Sequence, residues 1–350
     1  VKVIITGGAG FIGSNAAARH LARGNEVVVL DNLSRRGAER NWSWLQARPE
    51  GAPAAGALTL ARADLRASEA VDAVFAAHAD AEVVLHLGGQ VAVTTSVVNP
   101  REDFEINALG TFNVLEAARR LPHLRALLYA STNKVYGGME DVGIVEQGGR
   151  YAYASLPQGV SETQQLDFHS PYGCSKGAAD QYTADYARIY GLPTVTLRQS
   201  CIYGPRQLGV EDQGWVAWFC IAGALGRPIS VYGDGMQVRD VLWVDDLLDA
   251  YDRAIEAIET VKGQVFNVGG GPGHTLSLLE LITHLERRLE RPLRPAFESW
   301  RPGDQRVFVA DIRKARRELG WSPQVAPDAG VDRLLDWVTA NRDLFVDLYG

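Results

Sequence analysis

Apolar positions along the chain follow two spacings that alternate. Val3-Ile4-Ile5, inside the run Val1 to Thr6, is a short unbroken apolar block, and similar blocks recur at Glu26 to Leu30, Glu82 to Leu87, Leu124 to Ala130 and Thr194 to Leu197. Blocks of this length, rich in β-branched residues, predict strands buried on both faces. Between them Phe11 to Leu21, Asp103 to Arg119 and Ser175 to Tyr190 carry apolar residues at helical spacing. Regular alternation of strand and helix predicts an α/β fold, a Rossmann-type doubly wound parallel sheet with helices on both faces. Past Gly204 the alternation breaks up. Helical stretches at Gln213 to Gly226, Asp245 to Ile258, Leu276 to Leu289 and Val331 to Leu344, with a short strand at Ile229 to Tyr232, predict a smaller C-terminal lobe over the carboxyl ends of the strands. The expected division is 1–203 for the sheet domain and 204–350 mainly for the lobe, with segments such as Gln264 to Val268 rejoining the main sheet. Two stretches follow neither spacing: Pro49 to Gly56 reads as a surface loop or insertion, and Gly137 to His169 as a long loop of the kind that often serves function.

Composition narrows the class. The chain has 350 residues and is 46% hydrophobic, enough for a large core and too apolar for disorder beyond short loops. A net charge of −7 argues against a nucleic-acid surface, although a few local arginines can still hold a small anion. Cys174, Cys201 and Cys220 form an odd, sparse set without metal-ligand spacing, and the seven histidines are scattered, so neither a disulfide framework nor a metal is expected. No apolar stretch is long enough to span a bilayer and no charged leader precedes the first strand, so the expectation is a cytoplasmic protein without a membrane partner.

The first strand runs into Thr6-Gly7-Gly8-Ala9-Gly10-Phe11-Ile12-Gly13, which then opens a helix. Gly7, Gly10 and Gly13 allow a tight turn and close backbone approach to a pyrophosphate, and the helix start offers free N–H groups at the positive end of its dipole. Asp31, eighteen positions past Gly13, ends the second strand. A carboxylate there accepts hydrogen bonds from an adenosine ribose and repels a 2′-phosphate, which favours NAD over NADP, while Arg35 and Arg36 would suit a phosphate. The candidate cofactor set is Gly7, Gly10, Phe11, Ile12, Gly13, Asp31, Asn32, Ser34, Arg35, Asp64, Leu65, Leu87, Gly88, Gln90, Asn107, Tyr172 and Lys176. His86 reads as a packing or hydrogen-bonding residue.

Tyr172-Gly173-Cys174-Ser175-Lys176 places a tyrosine and a lysine four apart, on one helical face. A lysine cation favours the phenolate and lets tyrosine act as a base near neutrality. Ser131 to Gly137 follows a strand, and the Thr132 hydroxyl can hydrogen-bond the substrate oxygen that loses a proton. Thr132, Tyr172 and Lys176 together suit alcohol–ketone interconversion with a nicotinamide.

These motifs, with Tyr203-Gly204-Pro205, Gln237 to Asp240 and Arg301-Pro302-Gly303-Asp304, resemble the extended short-chain dehydrogenase/reductase family over nearly the whole chain. Longer stretches, Ser131 to Gly137, Gln165 to Tyr172, Gly173 to Tyr182, Asp212 to Trp215 and Asp304 to Asp311, resemble its nucleotide-sugar epimerases, in particular those inverting C2 of a CDP-sugar. The resemblance implies bound NAD, a transient 2-keto sugar with no net redox change, and a nucleotide-diphospho-sugar substrate. It implies Arg239 and either Arg301 or Arg306 on the diphosphate, with Gln213, Gly214 and Trp215 on the sugar–nucleotide side. Gln90, Thr132, Asn133, Gln199, Ser200 and Cys201 complete the candidate substrate set. It also implies a homodimer or homotetramer paired through Asp103 to Arg119 and Ser175 to Tyr190. Two departures stand out. Cys201 replaces the asparagine that many members carry two residues before Tyr-Gly-Pro. Asn133-Lys134 replaces the Asp-Glu of the 4,6-dehydratases, so the acid that would expel water is missing. A 4-epimerase on a UDP- or CDP-sugar stays open as an alternative, as does a non-catalytic dinucleotide-responsive protein, which the presence of both Tyr172 and Lys176 disfavours.

Overall fold

The computed structural model describes residues 1–47, 57–301 and 304–349. The stretch Pro49 to Gly56 and the Pro302-Gly303 step of the Arg301 to Asp304 motif lie outside the described residues. The strands are β1 (Lys2–Thr6), β2 (Glu26–Leu30), β3 (Leu58–Ala61), β4 (Val83–His86), β5 (Ala126–Thr132), β6 (Ile144–Gln147), β7 (Arg150–Tyr153), β8 (Thr194–Gln199), β9 (Cys201–Tyr203), β10 (Ser230–Tyr232), β11 (Val238–Trp243), β12 (Val265–Val268), β13 (Thr275–Ser277), β14 (Ala296–Glu298) and β15 (Val307–Phe308). Among the described residues the main sheet has seven strands in the order β12-β8-β5-β4-β1-β2-β3. β1 pairs in parallel with β2 and β4, β2 with β3, and β4 with β5. Ile4 lies opposite Val28 on one side and Val84 on the other, so the unbroken apolar runs line up across the sheet. The chain proceeds outward from β1 in both directions, and the strand order reverses at β1 and β4. Ligands bind beyond the carboxyl ends of strands at such a reversal.

The chain divides into two compact units that interleave in sequence. Residues 1–135, 170–198 and 248–266 form the first, and residues 136–169, 199–247 and 267–350 the second. The first buries Ile4, Val28, Val84 and Leu127 with Val114, Leu115 and Tyr186. The second buries Phe219, Ile221, Leu281, Leu285, Leu334 and Phe345.

Three elements differ from the sequence reading in ways that matter for function. The helix expected at Asp103 to Arg119 begins at Pro100, where Asn99 caps it by accepting from the Glu102 amide, and it contains a π turn at Glu105–Leu109 before continuing as Gly110–Ala118. The helix expected from Ser175 spans Ser170–Tyr190, so Tyr172 lies in its first turn. Ser170 Oγ accepts the Gly173 amide at 3.2 Å, and Pro171 suits a helix start, but neither signals through apolar spacing. The stretch Gly137 to His169 holds an antiparallel hairpin, β6 with β7, closed between Gln147 and Arg150 by Gly148 and Gly149. Both glycines have positive φ, 63° and 77°, as a type I′ turn requires. In the second unit, Tyr151 N donates to Met236 O at 3.0 Å and Tyr153 Oη to Val307 O at 3.0 Å, which fastens the hairpin in place. The Val331 to Leu344 stretch is divided between Pro327–Ala340 and Arg342–Tyr349.

Candidate active site

The glycine turn is built by close backbone approach. Gly7 has φ +66°, and a Cβ there would lie 2.7 Å from Gly88 Cα; a Cβ on Gly13 would lie 2.2 Å from Gly7 O. The turn is therefore pressed between its own helix and the residues after β4. Gly10 is the N-cap of the helix Phe11–Ala22 and contributes no side-chain cap, so the first-turn amides, including those of Phe11, Ile12 and Gly13, are left for a ligand. This is the cradle that a pyrophosphate needs.

Asp31 ends β2 beside that turn. Its carboxylate accepts Ala9 N at 3.0 Å and Leu33 N at 2.8 Å. Burial raises its pKa, while those two amides and Arg35 oppose the rise. Asn32 donates to Asp64 at 2.9 Å and accepts from Ser34 N at 3.0 Å. Asp64 is held down at about 2, chiefly by Arg66. Leu65 is buried, and its backbone carbonyl accepts Asn113 Nδ2 at 2.8 Å. After β4, Leu87 N and Gly88 N both donate to Thr6 Oγ1, at 3.2 and 3.1 Å. Gln90 N donates to Asn107 Oδ1 at 2.9 Å, and the Gln90 side chain folds back onto Ala92. Asn107 sits in the π turn, and its amide also donates to Asp103 at 3.2 Å and Ser175 at 3.1 Å. π turns frequently mark functional positions. His86 is fully buried between Thr6 and Thr111, at 2.7 and 2.8 Å, and burial pushes it down to about 3, so it is a neutral structural group.

Thr132 ends β5, and Tyr172 and Lys176 stand on one face of the helix Ser170–Tyr190. Tyr172 N donates to Ser96 Oγ at 3.1 Å, which fixes the helix start. Burial pushes the Tyr172 phenol up to about 12, Asp103 adding to the rise and the nearby Thr132 hydroxyl and Arg35 opposing it; the Thr132 hydroxyl itself donates to Asn133 Oδ1 at 3.3 Å. Lys176 is buried and held down at about 7 by desolvation, with Asp180 and Asp103 acting the other way. Its Nζ donates to Ala130 O at 2.6 Å and lies 4.4 Å from the Tyr129 ring centroid. The four-residue spacing makes Lys176 the expected influence on Tyr172; in the structure Thr132 and Arg35 lower the phenol pKa, because Lys176 reaches the β5 carbonyl instead.

In the second unit, Gln199 is buried, Ser200 Oγ donates to Asp240 O at 3.1 Å, and Cys201 pairs with Val241 across β9 and β11. Gln213 and Val210 exchange backbone hydrogen bonds at 2.9 and 3.0 Å. Gly214 is the left-handed N-cap of the helix Trp215–Leu225, and Trp215 stands edge-on to Phe219. Arg301 pairs with Asp212 at 2.8 Å and lies 3.7 Å from the Tyr232 ring centroid, which puts it beside the Gln213 to Trp215 segment. Arg239 pairs with Asp304 at 2.7 Å, and Arg306 stands over the rings of Tyr151 and Trp300. Sequence reasoning named Asn107 but missed its partners Asp103 and Ser175, and the buried ion pair of Asp180 and Arg198 with Ser131. Asp180, four residues past Lys176 on the same helix face, was the available signal.

Residues 4–334 match the family model described as GDP-mannose 4,6 dehydratase. The chain belongs to this family, within the extended short-chain dehydrogenases/reductases. The GDP-mannose 4,6-dehydratase family thus spans both units. The chain is 44% identical to a CDP-paratose 2-epimerase of Salmonella typhi over 345 residues, covering 97% of this chain and all of that protein. Two solved structures share the fold. The UDP-glucose 4-epimerase of Thermotoga maritima, with UDP-glucose, superposes with a TM-score of 0.82 at 29% identity, covering 98% of this chain and 100% of that one. The UDP-glucose 4-epimerase of Thermus thermophilus, complexed with NAD, gives 0.78 at 33% identity, covering 96% and 98%. Among the described residues no helix is long and apolar enough to cross a membrane.

Proposed function

We propose that the chain is an NAD-dependent epimerase of a nucleotide-diphospho-sugar, and that it inverts C2 of a CDP-sugar of the paratose/tyvelose kind. The observation that carries the reading is the meeting of two halves on one sheet edge: an uncapped helix start behind a glycine turn, and a buried Tyr172 beside Thr132 with Lys176 one turn further on. The choice of C2 and of cytidine rests on the 44% identical relative, and Asn133-Lys134 removes the acid that dehydration would use.

The first-turn amides of Phe11–Ala22 would hold the pyrophosphate, and Asp31 the adenosine ribose. When bound, NAD supplies reversible two-electron oxidation of the sugar carbon. Tyr172 Oη takes the proton of the C2 hydroxyl, and the Thr132 hydroxyl beside Tyr172 steadies that oxygen. Lys176 brings a cation to the same face, which the phenolate needs because the phenol stands near 12 even with Thr132 and Arg35 lowering it. Tyr172 returns the proton to the 2-keto oxygen once the sugar has turned over. Arg239, with Arg301 or Arg306, would hold the diphosphate. Each pairs or stacks within its own unit, so the substrate must compete with Asp304 for Arg239 and with Asp212 for Arg301.

The same reading includes self-association as a homodimer or homotetramer through the helices Pro100–Phe104 to Gly110–Ala118 and Ser170–Tyr190. Phe104, Phe112, Tyr182, Ile189 and Tyr190 stand exposed on them. Turnover of CDP-, UDP-, GDP- and dTDP-sugars followed by product NMR tests the function. A product inverted at C2 of a CDP-sugar supports it, and inversion at C4 of a UDP-sugar replaces it with a 4-epimerase.

A further inference from the structure

Asp180 has no exposed surface, and its partner Arg198 is 4% exposed. Arg198 donates through Nε to Oδ2 at 3.0 Å and through Nη2 to Oδ1 at 2.9 Å. Ser131 Oγ adds a bond to Oδ2 at 2.6 Å, and Gln181 Nε2 one to Oδ1 at 2.9 Å. A buried ion pair adds little to stability by itself, since apolar residues of similar volume commonly do as well or better. Its placement is more telling. Arg198 is on β8, Ser131 on β5, and Asp180 one turn past Lys176. Ser131 lies between Ala130, whose carbonyl takes the Lys176 ammonium, and Thr132, whose side chain lowers the Tyr172 pKa.

We infer that Asp180, Arg198 and Ser131 are positioning residues that clamp the end of β5 to the helix bearing Tyr172 and Lys176, so that the Ala130 carbonyl, Thr132 and Lys176 are held in one arrangement. This rests on the epimerase reading for the roles of Thr132, Tyr172 and Lys176. Lys176 is faced by Asp180 one turn on, Tyr172 one turn back, Asp103 from the neighbouring helix, Tyr129 and the Ala130 carbonyl from β5, and His86 from β4. Both carboxylates favour its charged form, and burial opposes it. Loss of the Asp180 charge therefore shifts its titration to lower pH.

The test uses the full chain with 13C-labelled lysine, the Lys176 signal being assigned with Lys176→Met. Ser131→Ala removes the link to β5 and leaves the ion pair intact. The double variant Asp180→Asn with Arg198→Gln removes both charges, so neither is left orphaned. The clamp predicts that Ser131→Ala lowers kcat about tenfold and the double variant about a hundredfold, with KM changed less than about twofold. It also predicts that the Lys176 midpoint falls by about one pH unit in the double variant. A folded double variant with wild-type kcat and an unmoved midpoint overturns the inference. If the double variant does not fold, unchanged kcat in Ser131→Ala overturns it. If the wild type turns over no nucleotide-sugar, the epimerase reading fails by itself; the midpoint still decides whether Asp180 holds Lys176, a fall supporting the clamp and no change refuting it.

Discussion

Tyr172 and Lys176 sit on one helix face, and burial moves them in opposite directions, the phenol up to about 12 and the ammonium down to about 7. Tyr172→Phe keeps the ring and its packing but loses the oxygen that carries the proton, so kcat should fall by about a hundredfold or more with little change in KM. Near-normal kcat would remove Tyr172 from the reaction. Lys176 also leaves a mark on stability. Its pKa lies below the ordinary 10.5 in the folded chain, so between about 7 and 10.5 the unfolded chain binds more protons and stability rises with pH. Denaturant unfolding across that window should show the rise in the wild type and a flatter profile in Lys176→Met; equal slopes would contradict a buried Lys176. At Asp31 the carboxylate already holds Ala9 N and Leu33 N, with lone pairs left over for a ribose. Asp31→Ala should weaken NAD binding about tenfold or more, measured by calorimetry, and the wild type should prefer NAD to NADP. Equal binding of both would mean that Arg35 and Arg36, not Asp31, set the choice.

The elements explain why some of this was legible in the sequence and some was not. Strands β1, β2 and β4 announce themselves because both faces are buried, and Thr6 to Gly13 announces its turn because only glycine tolerates the approach of Gly7 to Gly88. The Gly148-Gly149 hairpin carried a readable turn signal, but β6 is exposed along its length and so lacks apolar alternation. The π turn at Glu105–Leu109 leaves no trace in hydrophobic spacing, although it places Asn107 against Gln90, Asp103 and Ser175. Asn107→Ala should therefore loosen residues 88–90, giving faster amide exchange at Gln90 and weaker NAD binding, while the core of the first unit keeps its protection. Unchanged exchange at Gln90 would show that the π turn does not hold this segment. The direction of Lys176 was also illegible, because spacing gives the helix face but not the competing carbonyl of Ala130.

At the scale of the whole molecule, the helices Pro100–Phe104 to Gly110–Ala118 and Ser170–Tyr190 leave Phe104, Phe112, Tyr182, Ile189 and Tyr190 exposed, and Phe112 and Tyr182 meet edge to face at 6.0 Å. An apolar face of that kind calls for a partner, and a second copy of the chain is the one proposed. Sedimentation should give a dimer or tetramer that Phe112→Glu with Tyr182→Glu reduces to monomer; a monomeric wild type would contradict this. The central claim concerns the reaction, in which one carbon of the sugar loses and regains its hydrogen without exchange. The most direct measurement is turnover of the CDP-sugar deuterated at C2, with NMR of the product. Epimerisation through a 2-keto sugar predicts inversion at C2 with the deuterium retained there. Loss of the label to solvent, or inversion at C4 with C2 untouched, would contradict the account.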